Sequence, residues 1–349
     1  DDDPLRLPGT GPLALGAIPF HDSVAGELVV PALVVGRTPG GRAWVTRTGP
    51  ALDGDGAHRT FGDRGPVGRA VAGADVGPTR LAVGTEEGRD EWTAAVRSAL
   101  ARIAAGPLAK VVLAREVVAQ GDRPFRRRAV LCRLRAADPS AFTYAVGGFV
   151  GASPELLVRR RDSRVVSRPM AGTAPRGTSR VQDDRLVSDL MASAKEAEEH
   201  ALVVGAVRAA LAPVCRELVA DARPDAVRLP TVTHLATTVA GHLAAPPPSA
   251  LALAGLLHPT PAVAGLPRAE ALAAIAELES FDRDRYAGPV GWVDARGDGD
   301  WAVALRCARL EGARARLAAG AGIVADSDPD AEWAETEAKL APMLAALMP

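Results

Sequence analysis

The chain is predicted to fold in the α+β (α/β layered) class, as a single large domain with mostly antiparallel sheets packed with helices. Three features lead there. Strand-like and helix-like segments follow one another without the regular βα alternation of a doubly wound fold. Several neighbouring strand-like runs are joined closely enough to be hairpins. No internal repeat and no linker divides the 349 residues, a length that can bury one large core.

In chain order, the first 50 residues carry two short β-like runs, LALGAIPF and GELVVPALVVGR, set off by Gly and Pro. Leu52 to Arg80 is rich in Gly, Asp and Arg, has no apolar period, and is expected to be a long surface loop. Asp90 to Ala105 puts Trp92, Val96, Leu100 and Ile103 on one helical face, and Gly106-Pro107 stops the helix. Leu108 to Ala119 (LAKVVLAREVVA) has the β-branched content of a strand, with Lys110 near its start. Arg126 to Ala136 reads as a helix. Phe142 to Arg159 reads as two strands around a Gly-rich turn, with Glu155 entering the second after Pro154.

Arg164 to Pro169 is a further strand leading into a loop, MAGTAPRG, and Asp183 to Leu218 is one long helical region. Thr231 to Leu243 is strand-like and contains His234. After the connector APPPSA come a short helix from Ala250 to Leu257, the loop HPTPAVAGLP, and a helix from Arg268 to Leu278. Tyr286 to Asp294 and Trp301 to Leu310 form a hairpin around ARGDGD, and Arg314 to Ala319 is a strand running into GAGIV. Asp328, Pro329 and Asp330 start the last helix, with Pro in the first turn and acids beside the positive helix end.

Composition excludes several classes of function. A net charge of −1 gives no basis for nucleic-acid or anionic-membrane binding. The three cysteines, Cys132, Cys215 and Cys307, have neither metal-ligand nor disulfide-framework spacing and suit a reducing cytoplasm. No apolar run approaches the ~20 residues needed to cross a bilayer. The start, DDDPLRLPG, has neither Met nor a signal-like apolar stretch and is expected to be a processed or trimmed end. Of the 41 basic residues only Lys110, Lys195 and Lys339 are lysines. Where arginine serves as the general solvated cation, a retained lysine points to a site needing a compact charge or an amine able to give up its proton.

The last helix carries Glu332, Glu335 and Lys339, which share one face at spacings of three and four. KEAEEH repeats the spacing with Glu196 and Glu199. One such pair is ordinarily a solvated helix face, but four carboxylates from two helices could surround a hard cation. Lys110 is either an edge-strand charge or a buried amine whose pKa burial would lower, making it a candidate general base. Glu155 is either a turn carboxylate or, against apolar neighbours, a candidate general acid with a raised pKa. Gly320, Ala321 and Gly322 offer backbone N–H groups as an anion cradle, without matching a dinucleotide or P-loop pattern. Arg306 is an exposed strand charge or an inward carboxylate fork, and His234 a satisfied core histidine or a site contact.

KVVLAREV, GASPELLV, RPMAGTAPRG, KEAEEHALV, PTVTHLAT, LLHPTPAVAGLPR, ELESFDRDRYAGPVGWVD, VALRCARL, GAGIVADSDPDAEW and ETEAKL resemble, in this order, the chorismate-utilising enzymes, and among them the isochorismate synthases. The resemblance runs from about Pro107 to Leu347 and more weakly from GAIPF. It implies one chorismate-binding catalytic domain over 1–349, with a catalytic core over 107–347. The portion over 1–106 is divergent and expected to lack an early strand or helix. It also implies Mg²⁺ as cofactor, chorismate as the small-molecule partner and a cytoplasmic monomer, and it leaves open whether the product feeds siderophore, menaquinone or other biosynthesis.

By the same resemblance Lys110 is the general base for water and Glu155 the general acid. Glu199 and Glu335 are Mg²⁺ ligands with Glu196 and Glu332 supporting them. Arg306, the Gly320-Ala321-Gly322 backbone and Lys339 hold substrate carboxylates, while Gly172, Thr173 and His234 line the pocket. A lysine at position 110 favours water over ammonia as nucleophile. The implied reaction is addition of water at ring carbon 2 of chorismate with loss of the carbon 4 hydroxyl. The alternative is a salicylate synthase, which goes on to eliminate pyruvate. Less favoured are an aminating enzyme and a non-catalytic chorismate-binding module.

Overall fold

The computed structural model describes residues 5–21, 23–38, 40–49, 77–85 and 88–348. The surface loop expected over Leu52 to Arg80 lies mainly outside them. Each strand pairing among the described residues is antiparallel, as the hairpin-rich sequence predicts.

Two large sheets dominate. One runs in the order Cys215–Ala220, Val239–Leu243, Arg164–Arg168, Leu156–Arg161, Gly299–Val303, Pro289–Asp294, Leu13–Ala17, Leu28–Val29. The other runs Gly265–Leu266, Lys110–Gly121, Arg314–Ile323, Cys307–Glu311, Phe149–Ser153, Phe142–Val146, with Leu81–Gly84 also pairing onto Lys110–Gly121. A small sheet of Met170–Pro175, Val232–Ala236 and Asp225–Arg228 stands apart from both.

The two long strands of the second sheet show why one face is buried and the other open. Val111, Leu113, Val117 and Ala119, with Ala315, Leu317, Ala319, Ala321 and Ile323, are all buried. Strand alternation puts them on one face, and the register Leu113↔Ala321, Val117↔Leu317 pairs them. The helices Arg89–Ala105, Arg127–Ala137 and Pro329–Leu347 pack there through Trp92, Val96, Val130, Leu134, Leu340, Met343 and Leu347. Lys110, Val112, Gly320 and Gly322 take the alternate face.

Several boundaries differ from the sequence reading, and most differ for one reason: the chain passes from one sheet to another in mid-segment. Trp301 to Leu310 is two strands in different sheets, broken at Ala304–Arg306, with Arg306 at φ 48°. Thr231 to Leu243 is likewise two strands in different sheets, parted at Thr237-Thr238. MAGTAPRG is not a loop, since Met170–Pro175 pairs with Val232–Ala236. The helical region over 183–218 is two helices, Arg180–Ala192 and Ala194–Leu211, ending in a strand at Cys215–Ala220. Ser193 divides the helices by capping the second, its hydroxyl accepting from the Glu196 N–H at 3.3 Å.

GAGIV extends the strand expected to stop at Ala319. It is the end of the Arg314–Ile323 strand, paired through Ile323↔Val111. The final helix starts as expected, with the Asp328 carboxylate accepting from the N–H groups of Asp330 and Ala331.

Candidate active site

A cleft opens where the sheets meet. Its wall includes Lys110, Glu155, Gly172, Thr173, Glu199, His234, Arg306, Gly320, Gly322, Glu335 and Lys339. Eleven of the residues singled out from the sequence thus come together from eight segments. Three do not face it. Ala321 is fully buried in the core on the helix side of its strand. Glu196 and Glu332 stand one helical turn behind Glu199 and Glu335.

Lys110 is 1% exposed and donates to Glu199 Oε1 at 2.7 Å. It is the buried amine, not an edge charge, because Gly265–Leu266 covers that edge of its strand. Gly322 makes the pair possible: a Cβ there would lie 3.0 Å from both Glu199 Oε1 and Lys110 Cε. From the final helix Lys339 donates to Glu335 at 2.5 Å and to the Gly320 carbonyl at 2.9 Å. Gly320 can face that way because Cys307–Glu311 pairs with the neighbouring strand only as far as Leu317. The edge beyond is open, and in an antiparallel ladder a residue turns its N–H and C=O to the same side.

Glu155 and Arg306 sit at two of the points where the chain changes sheets, between the same two large sheets. The Val303 N–H donates to the Glu155 carbonyl at 3.1 Å and the Ala152 N–H to the Arg306 carbonyl at 3.2 Å, so the crossings brace each other. Burial pushes the Glu155 carboxyl up to about 7, against the opposing pull of the Met170 N–H and of Lys110, Lys339 and Arg306. It is therefore an acid that holds its proton near neutral pH, beside Lys110, Lys339 and Arg306.

His234 is buried and neutral, its pKa driven well below the ordinary range by desolvation and then by Lys339 and Arg306. Its Nδ1 lies 3.2 Å from the Gly172 carbonyl and 3.1 Å from the Thr173 hydroxyl. A carbonyl only accepts, so Nδ1 carries the hydrogen and Nε2 is left to accept from Arg306 Nη2 at 3.4 Å. Gly172 has φ +80°, and a Cβ there would come 3.2 Å from Glu196 Oε2. That carboxylate takes the Thr173 N–H at 2.9 Å instead of closing a capping box on Ser193.

The four glutamates fit a hard cation in the chemistry of their donors. Desolvation first, and repulsion from Glu199 and Glu335 as well, raise the Glu196 carboxyl. Desolvation and then Glu335 push Glu332 up to about 7. A divalent cation would relieve this crowding. Among the described residues no three acidic, imidazole or thiol groups form a ready-made metal cluster. Of the four, Glu199 and Glu335 line the cleft, and two carboxylates there would leave the rest of a hard cation's shell to water and ligand oxygens, an arrangement Mg²⁺ accepts.

The sequence reading missed Tyr286, Ala262, Val263 and Leu305, which also line the cleft. Tyr286 had a usable signal: it is one of two tyrosines in the chain. Of the three lysines, Lys110 and Lys339 are in the cleft, while Lys195 is exposed beside it.

A family profile described as chorismate binding enzyme matches residues 72–348. A protein of Mycobacterium tuberculosis (strain ATCC 25618 / H37Rv), provisionally named isochorismate synthase MenF, is 43% identical over 352 residues, covering 97% of this chain and 87% of that protein. Isochorismate synthase DhbC of Bacillus subtilis is 42% identical over 269 residues, covering 74% of this chain and 68% of that one. The solved structure of MenF, the menaquinone-specific isochorismate synthase from Escherichia coli, superposes with a TM-score of 0.77 at 29% identity, over 96% of this chain and 79% of that one. The chain belongs to the chorismate-binding enzyme family, together with the isochorismate synthases it resembles.

Proposed function

We propose that this protein converts chorismate to isochorismate. The observation that carries the reading is one cleft holding a buried lysine, a carboxyl that keeps its proton to about 7, and two further cations. The relatives named above carry that activity in their names.

In this mechanism Lys339 and Arg306 pair with the two substrate carboxylates. His234 orients the Arg306 guanidinium, and the open Gly320 and Gly322 edge offers main-chain groups to the same anion. Lys110, as the free amine, takes a proton from water as its oxygen bonds to ring carbon 2. The ring double bonds shift, the carbon 4 to oxygen bond breaks, and Glu155 gives its proton to the departing hydroxyl, which leaves as water. One water is consumed and one released. Mg²⁺, held by Glu199 and Glu335 with Glu196 and Glu332 behind them, would supply a hard Lewis-acidic anchor for a substrate carboxylate.

The test is to incubate the protein with chorismate and MgCl₂ and separate the products by liquid chromatography. Isochorismate alone is expected. Salicylate with pyruvate would make it a salicylate synthase, an ammonia-dependent product an aminating enzyme, and tight binding without turnover a binding module. Removing Mg²⁺ with a chelator is expected to abolish product.

A further inference from the structure

Arg115 shares a strand with Lys110, but five residues separate them, so the two side chains leave opposite faces. Its guanidinium is 1% exposed, deep under the final helix and away from the cleft. It meets that helix three ways. Nε donates to the Thr336 hydroxyl at 2.8 Å, Nη2 donates to Glu337, and the guanidinium carbon lies 3.7 Å over the centroid of the Trp333 ring. Trp333, Thr336 and Glu337 are spaced by three and four, so they form one stripe of the helix. Glu335 and Lys339, in the cleft wall, lie beside it.

Elsewhere the polar contacts to this helix reach its backbone or its exposed start: Trp92 Nε1 donates to the Pro329 carbonyl, Thr231 Oγ1 to the Ala338 carbonyl and Arg133 Nε to the Ala346 carbonyl, and Arg89 pairs with Asp330. Leu340, Met343, Ala346 and Leu347 hold its second half through apolar burial, which is non-directional. A planar guanidinium with donors in fixed directions, stacked on an indole, is directional. Rotating a helix by about 20° moves a side-chain end ~6 Å from the axis by about 2 Å. That is enough to break the Lys339 contact with the Gly320 carbonyl at 2.9 Å.

We propose that Arg115 is a positioning residue for the cleft: by gripping the side chains of Trp333, Thr336 and Glu337 it completes, with the backbone contacts from Trp92, Thr231 and Arg133, the setting of the final helix's rotation, and so the placement of Glu335 and Lys339. The kinetic consequence rests on the chorismate reading given above; the structural consequence does not.

The test compares Arg115→Met with Met343→Ala, which loosens the other half of the same helix. Hydrogen exchange is expected to speed up about tenfold or more over residues 332–339 in Arg115→Met and over 340–347 in Met343→Ala. With chorismate, Arg115→Met is expected to raise KM about tenfold, with kcat within about threefold of wild type and its pH profile unchanged. Met343→Ala, compared at matched loss of Tm, leaves KM in place. Should Arg115→Met not fold, Arg115→Lys keeps the charge, loses the fork, and is expected to show the same pattern more weakly. The proposal is overturned if the Arg115 variant and Met343→Ala give the same exchange pattern. It is equally overturned if kcat falls at unchanged KM. A wild-type protein without chorismate turnover would sink the functional reading, and the exchange comparison would still decide this one.

Discussion

The cleft has two lysine–glutamate pairs, one in the wall made by the Lys110–Gly121 strand and the Ala194–Leu211 helix and one in the wall made by the final helix, and they come about in different ways. Lys339 and Glu335 are four apart on one helix, 15% and 24% exposed, with Glu on the N-terminal side as the helix geometry favours. Lys110 and Glu199 are 89 residues apart, 1% and 15% exposed, and meet only when a strand docks beside the Ala194–Leu211 helix with a glycine between them. The first pair is assembled by local geometry before any tertiary structure exists. The second is a product of the fold, and its charges have lost most of their water. A group with less water is the better placed for proton transfer; one that keeps some is better placed to grip an anion arriving from solvent.

The sharpest way to test this division is Lys110→Ala. Turnover is expected to fall by about 10³-fold or more, the range of a lost general base, while binding of chorismate, followed by calorimetry, stays within about tenfold. Near-normal turnover would reverse the roles of the two walls.

Glu155 belongs with the buried wall, and its titration gives the next largest effect. Its pKa is raised from 4.5 to about 7 by burial. The folded state therefore holds this proton more tightly than the unfolded chain. The linked stability is fully present below about 4.5 and is lost as pH rises through about 7. For this group alone the loss is at most about 3 kcal/mol. Glu155→Gln is expected to lower turnover by about 10²- to 10³-fold and to remove the decline in activity above neutral pH. It is also expected to flatten the dependence of the denaturant midpoint between pH about 5 and 8. An unchanged decline in activity in the Gln variant would assign it to another group.

Lys339→Ala is expected to do the reverse of Lys110→Ala. It removes a charge-assisted contact with substrate, so KM rises about 10- to 100-fold while kcat falls by less than about tenfold. Steady-state kinetics on both variants, side by side, measure the division directly.

The same contrast explains how much could be read from the sequence. The shared helical face of Glu332, Glu335 and Lys339 is legible from spacing, though not its role, and so is the Asp328 cap. The antiparallel, layered class was legible from hairpin-joined strands. The sheet crossings were not: Trp301 to Leu310 reads as one alternating strand, yet it breaks at Arg306, and Thr231 to Leu243 breaks after His234 at Thr237-Thr238. Local pattern specifies a strand and says nothing of which sheet it joins. Arg306 stands at the first of these crossings and Glu155 at another, between Phe149–Ser153 and Leu156–Arg161, where a backbone leaving one ladder for another must turn its side chains into the gap between sheets. Resemblance supplied their roles; periodicity alone could not. Arg115, on a strand whose pattern was read correctly, was passed over because a buried arginine is invisible until its partner helix is placed.

The smallest expected effect is the one that most directly separates the two pairs. Glu335→Ala breaks an ion pair that the helix itself provides, partly exposed to water, and pairs of that kind contribute about 0.3–0.5 kcal/mol. The substitution also removes the repulsion that Glu335 exerts on the buried Glu332 carboxyl, a gain opposing the loss. Denaturant unfolding without added Mg²⁺ is therefore expected to show a change of less than about 1 kcal/mol, of either sign. A loss near 3 kcal/mol, as follows the breaking of a buried pair, would mean that Lys339 is held by the fold as firmly as Lys110. The two walls would then be alike in origin as well as in composition.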